Sequence, residues 1–311
     1  MNPAASVLLL TTLTGFAYGL LAWIGGFAAA GVPPRSPGFA VVGVVIALMA
    51  ASAGLFASMW HLGRKERAWR AFSQWRSSWL SREGVAAVLV YPIAAGFAAA
   101  AWFDFGGTAM RALGALTAVA SLATVYCTAM IYASLKPIRQ WHNPHTATDY
   151  LIFAIYSGAA LYATLHALAF GHARRAAAIT AAAAVIAWFA KQAYWRYVDG
   201  QTPLATLAAA IGLPESIEAR PLDSPHFTEN YILREMGFRV ARRHAAKLRR
   251  LTLLIAFLLP FGFSMIASLT PWSLVACTLA LAFAAVGMFV ERWLFFAEAT
   301  HVSALYYGRT I

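Results

Sequence analysis

Eight apolar runs of about 18–25 residues dominate this chain, at roughly 6–30, 39–62, 84–103, 112–135, 149–170, 176–198, 250–268 and 272–296. A helix of that length crosses the ~30 Å hydrocarbon core of a bilayer. The runs lack the period-2 alternation of barrel strands, so they are read as helices. Of the 311 residues 61% are hydrophobic and 12% charged. A water-soluble domain carries about a quarter of its residues charged, and half that supply cannot cover a soluble surface. The expectation is an all-α integral membrane protein, a bundle of eight transmembrane helices forming one domain over 1–311. The first run lacks a basic leader and is too long for the apolar core of a signal peptide, so it reads as a retained helix.

The basic residues are unevenly spread. With eight spans and both termini on one side, that side receives twenty Lys and Arg and the other only Arg35, Arg111, Arg174 and Arg175. Positively charged loops stay in the cytoplasm, which places both termini and the even-numbered loops there. Two of those cytoplasmic segments are long and basic, 63–83 and 199–249, and the second is expected to contain a basic helix over Thr228–Arg250. The first interleaves Arg and Lys with Trp69, Phe72, Trp75 and Trp79, a pattern suited to the membrane interface. Both are tied to spans, which argues for membrane lipid and against nucleic acid as their partner. Lys191 and Arg196 near the end of the sixth run are expected to snorkel to the same interface.

Ionisable residues at span ends are costly and therefore informative. The second span ends Ser58-Met59-Trp60-His61-Leu62-Gly63, and the third opens Trp79-Leu80-Ser81-Arg82-Glu83-Gly84. These ends share a face, which lets His61 and Glu83 oppose one another. A neutral histidine and a carboxylate beside it exchange protons near neutral pH. Quinone reduction, which moves two electrons and two protons, needs such a pair. The plainer reading is a histidine closing a helix and a glutamate at the interface. Tyr132 ends the fourth span on the same face, and Glu291-Arg292 the eighth, the latter pair equally suited to local pairing within the bundle. Arg82, Tyr132 and Arg292 extend the candidate site.

Other chemistry lacks its residues. Only His61 and His166 fall within the runs, at opposite faces, which excludes facing haem ligands. Cys127 and Cys277 cannot supply four thiolates for an iron–sulfur cluster and read as small packing residues. His142-Asn143-Pro144-His145 reads as a loop-shaping segment. No phosphate loop, zinc spacing or nucleophile elbow occurs. A transporter would expect broken helices in repeated halves, and only Pro92 and Pro260 interrupt runs.

The segments His61-Leu62-Gly63, Arg70-Ala71-Phe72 and Ser78-Trp79-Leu80-Ser81-Arg82-Glu83 resemble the HLG…RAF…S-x-L-S-x-E pattern of the membrane anchor subunits of the dimethyl sulfoxide reductase family (DmsC-like). The resemblance covers the whole chain. It implies eight helices and a quinone site, with ubiquinone or menaquinone as the quinone and neither haem nor cluster in this chain. It also implies a four-cluster iron–sulfur subunit and a molybdopterin catalytic subunit as partners in the bacterial inner membrane. The family's quinone-site histidine falls on His61 and its acidic residue on Glu83. The basic second loop, which places the partners in the cytoplasm, resembles the sulfite-oxidising (SoeC-like) branch. The alternatives are an anchor of a reductase oxidising menaquinol and a purely structural anchor without a quinone site.

Overall fold

A computed structural model describes residues 3–32, 34–61, 63–202, 205–214, 216–220, 222 and 244–307. Within these lie eight helices long and apolar enough to cross a membrane: α1 (Ala5–Ala29), α2 (Pro37–Ser58), α3 (Trp79–Trp102), α4 (Gly107–Ala133), α5 (Pro144–Phe170), α6 (Arg174–Asp199), α7 (Ala245–Leu269) and α8 (Ser273–Ala297). Every expected span is present. Helices α3, α4 and α5 each begin about five residues earlier than the apolar runs, and at α5 a capping side chain sets the start. Asn143 shows how: its Oδ1 accepts from the backbone N–H groups of His145 and Thr146, with Pro144 in the first turn. Ser36 caps α2 in the same way, ahead of Pro37. Gly171, at φ 73°, closes α5 in the left-handed region that glycine adopts without penalty. Of the basic helix expected over Thr228–Arg250, residues 228–243 lie outside the described residues, and the remainder forms the first turns of α7.

The helices arrange as two groups of four. Helix α1 packs on α2 and α4, and α3 on α2 and α4; α5 packs on α6 and α8, and α7 on the same two. Helix α1 also lies against α5, which joins the groups. Outward-facing residues are large and apolar: Val42, Val45, Met49 and Phe56 on α2 and Leu116 and Val119 on α4 are 47–69% exposed. Inward-facing residues are small, such as Ala17, Ala47, Ala94, Ala160 and Ala184. Lipid is as apolar as leucine, so close backbone approach drives association between the helices.

Two crossings depend on glycine. A Cβ on Gly158 would lie 2.1 Å from the carbonyl carbon of Gly19, so α1 and α5 touch backbone to backbone. A Cβ on Gly114 would lie 2.7 Å from the carbonyl oxygen of Gly25, which joins α1 to α4 similarly.

Helix α7 contains the second of the two expected interruptions. Pro260 has no N–H for the carbonyl of Ala256, and the turns before it widen to a π-helix over Leu253–Leu258. Tyr156 of α5 compensates by donating its hydroxyl to the Ala256 oxygen at 2.5 Å. Tyr156→Phe would orphan that carbonyl in a site from which water is excluded, and is expected to destabilise the bundle by about 1–3 kcal/mol. A lowered thermal unfolding midpoint of the purified variant, with helical content unchanged, is the outcome to measure.

Candidate functional site

The polar ends of the spans gather on the face that carries the basic loops, and four of the five candidate residues can be placed there in full. Glu83 lies in the second turn of α3 and is 7% exposed. Helix α3 starts at Trp79, earlier than the apolar run, so Glu83 is inside the helix and packed against the bundle. Thr128 of α4 donates to its Oε1 at 2.6 Å. Among the described residues no cation is paired with Glu83.

Thr128 also lines a small internal cavity with Thr11, Thr12, Ser157, Tyr150 and Arg292, contributed by α1, α5 and α8. At about 20 Å³ it has room for one water molecule. Through Thr128 the chain therefore brings Glu83 and Arg292 to one polar interior. Tyr132, one turn beyond Thr128, stacks on Tyr150 at 5.9 Å and packs edge-on against Trp141, Phe295 and Phe296. The guanidinium of Arg292 sits 4.1 Å above the Tyr150 ring, so Tyr132 belongs to the wall of the same region.

Arg82 points elsewhere. It is half-buried, donates to the carbonyls of Trp75 and Arg76 at 3.0 and 2.7 Å, and stacks over Trp79 at 4.3 Å. It shapes the end of the basic loop and does not enter the cavity. The same loop forms a short 3-10 helix over Lys65–Phe72 with Trp69, Phe72 and Trp75 exposed. The backbone of His61 closes a 3-10 turn directly after α2; its side chain lies outside the described residues.

Arg292 donates to Oε2 of the adjacent Glu291 at 2.5 Å, the local pairing that the sequence allows. Lys191, expected at the interface, is instead 1% exposed, and its ammonium lies 2.6 Å from the Glu291 carboxylate. Helix α6 turns that face inward, where the Glu291 carboxylate of α8 pairs with the ammonium. Lys191 also lies over the rings of Tyr194 and Trp195 at 4.1 and 4.9 Å. Asp149 of α5, 4% exposed, is within electrostatic reach of Lys191, Glu291 and Arg292. Lys191 and Arg292 thus share the Glu291 carboxylate, with Asp149 close by. Sequence reasoning passes over Asp149 and Thr128 and misplaces Lys191. The two charges are visible within long apolar helices, whereas a lone threonine carries no signal.

A second ionic tie closes the rim. Arg249 of α7 grips Asp199 at 2.7 Å and Glu298 at 2.8 Å, joining the ends of α6 and α8. The face is therefore tied at its edge, and among the described residues the carboxylate of Glu83 within it is bonded to a hydroxyl.

The family of the DMSO reductase anchor subunit (DmsC) matches residues 5–308. The chain is also 33% identical to the C-subunit of the sulfite dehydrogenase of Allochromatium vinosum, an alignment that spans 99% of each protein. Eight membrane-spanning helices and a match from end to end agree, and the chain belongs to the DmsC family of membrane anchor subunits.

Proposed function

We propose that the chain is the quinone-reactive anchor of a cytoplasm-facing sulfite:quinone oxidoreductase in the bacterial inner membrane. An iron–sulfur subunit with four clusters passes electrons from a molybdopterin subunit to the face that bears His61 and Glu83. Two electrons and two protons convert the quinone, ubiquinone or menaquinone, to its quinol. The similarity to a sulfite dehydrogenase anchor supports the substrate, and the excess of basic residues on this face supports its cytoplasmic side.

One observation carries the reading. Glu83 is a buried carboxylate whose bonded partner is a hydroxyl, whereas Glu291 is clamped by two cations. A carboxylate held by Thr128 gains and loses a proton without breaking an ion pair. Glu83 is therefore the proton donor to one quinone oxygen, and the adjacent cavity supplies it with water. That cavity is too small for a quinone ring. The ring approaches instead from the lipid side, between the end of α2 and the start of α3, where Phe56, Trp60 and Leu80 are exposed. His61, at the end of α2, serves the second oxygen, as the family resemblance implies.

The test uses Glu83→Gln assembled with its partners. Quinone-linked sulfite oxidation is expected to fall about 100-fold, the usual worth of a positioned proton donor, while oxidation by a soluble dye is unchanged. His61→Leu should behave likewise. A quinone analogue should perturb the spectrum of the nearest cluster in the wild type and not in Glu83→Gln. Full quinone-linked turnover in both variants would overturn the site, and an unperturbed spectrum in the wild type would leave a structural anchor.

A further inference from the structure

The face opposite the candidate site carries only four basic residues, and three of them converge. Arg35 from the α1–α2 loop and Arg174 and Arg175 from the start of α6 line one cavity of about 560 Å³. That volume falls within the range of small-molecule sites. Arg111 lies beside it, its guanidinium 2.8 Å from where a Cβ on Gly31 would stand. The acidic residue of this face, Asp104, is not among the residues that line the cavity. Arginine outside the cytoplasm runs against the charge bias of membrane insertion, and gathering it from separate loops concentrates positive charge that calls for an anion.

The walls are built as well as charged. His166 donates its Nδ1–H to the carbonyl of His172 at 2.7 Å. His172 donates its own Nδ1–H to the carbonyl of Phe170 at 2.8 Å, which leaves its Nε2 to accept from Arg35 at 3.0 Å. Both imidazoles are thereby fixed, and Arg35 is held over the Phe170 ring at 5.5 Å. Below them Phe39 packs against Tyr162, His166 and Phe170 at 5.4–5.9 Å, and Ile24 and Phe27 of α1 continue an apolar floor. The cavity is basic at its mouth and apolar at depth, at the level where spans end.

We propose that this cavity binds the phosphodiester headgroup of an anionic phospholipid, its glycerol and first acyl carbons lying against the aromatic floor. A soluble anion would meet the arginines but leave the apolar floor unfilled, and an uncharged amphiphile would do the reverse. Pockets of basic side chains between membrane helices hold anionic lipids by the same combination.

The experiment is native mass spectrometry of the full chain in detergent, titrated with phosphatidylglycerol, phosphatidylcholine and inorganic phosphate. Phosphatidylglycerol is expected to remain bound at concentrations at least ten-fold below phosphatidylcholine, and inorganic phosphate should not displace it. Arg174→Gln/Arg175→Gln, two exposed side chains, should abolish the preference, whereas Lys65→Gln/Arg67→Gln on the opposite face should keep it. Identical elution of both variants on size exclusion establishes that each is folded. Phosphatidylglycerol preference surviving in Arg174→Gln/Arg175→Gln, or lost equally in the opposite-face variant, would overturn the site. Displacement by inorganic phosphate would assign it to a soluble anion instead.

Discussion

Glu291→Gln is expected to destabilise the bundle by about 3–5 kcal/mol, the usual cost of removing one partner from a buried ion pair. Glu291 is fully buried and contacts both Lys191 and Arg292. Without it Lys191 and Arg292 lose the carboxylate that pairs with both. Buried positive charge then remains without a paired carboxylate. The result to measure is a large fall in the thermal unfolding midpoint of the purified chain. Adding Lys191→Met to Glu291→Gln removes the surplus charge, so the double variant should recover part of the loss. Its stability relative to the two single variants gives the coupling energy directly. A double variant no more stable than Glu291→Gln would show that the pair does not act as a unit.

Gly158→Leu is expected to be equally severe for a different reason. At that position even a Cβ overlaps the backbone of Gly19. The obstruction is backbone and cannot rotate away, so α1 and α5 must separate along their length. Overpacking of this kind costs about 3 kcal/mol or more when the obstruction is backbone. The separation also disturbs the polar cavity, because Thr11, Thr12, Gly15, Ala154 and Ser157 line it from the same two helices. Quinone-linked turnover should therefore fall with stability, whereas dye-linked turnover of the assembled complex should not. Gly26→Leu is the control: a Cβ there meets no atom within 4 Å, and its unfolding midpoint should match the wild type. Matching losses at both positions would mean that insertion, and not the crossing, is sensitive to leucine.

The eight spans could be read from the chain because membrane insertion is decided segment by segment. Each run of about twenty apolar residues meets the length of the hydrocarbon core independently of the others. The bias of Lys and Arg between faces is equally local, and so is the convergence of His61, Glu83, Tyr132 and Arg292 on one face, since residues at alternate span ends share a side in any up-and-down bundle. The start of α5 was displaced because hydropathy reports where lipid is met, while its cap, Asn143, reports where hydrogen bonding begins.

Relations between distant segments could not be read in that way. Lys191 lies 100 positions before Glu291 in the sequence and within 2.6 Å of it in space. Whether it snorkels or pairs depends on the rotation of α6 about its axis, which the packing of small residues against α5 and α7 decides. Arg82 and Glu83 are neighbours in sequence, yet one turns to the loop carbonyls and the other into the bundle, because consecutive side chains on a helix point about 100° apart. Local hydropathy thus specified the number of spanning helices, a property that each segment settles alone with the bilayer. The pairing of Thr128 with Glu83, the ion pairs around Glu291 and the arginine-lined cavity on the far face required the helices to be packed, because each depends on which side of one helix meets which side of another.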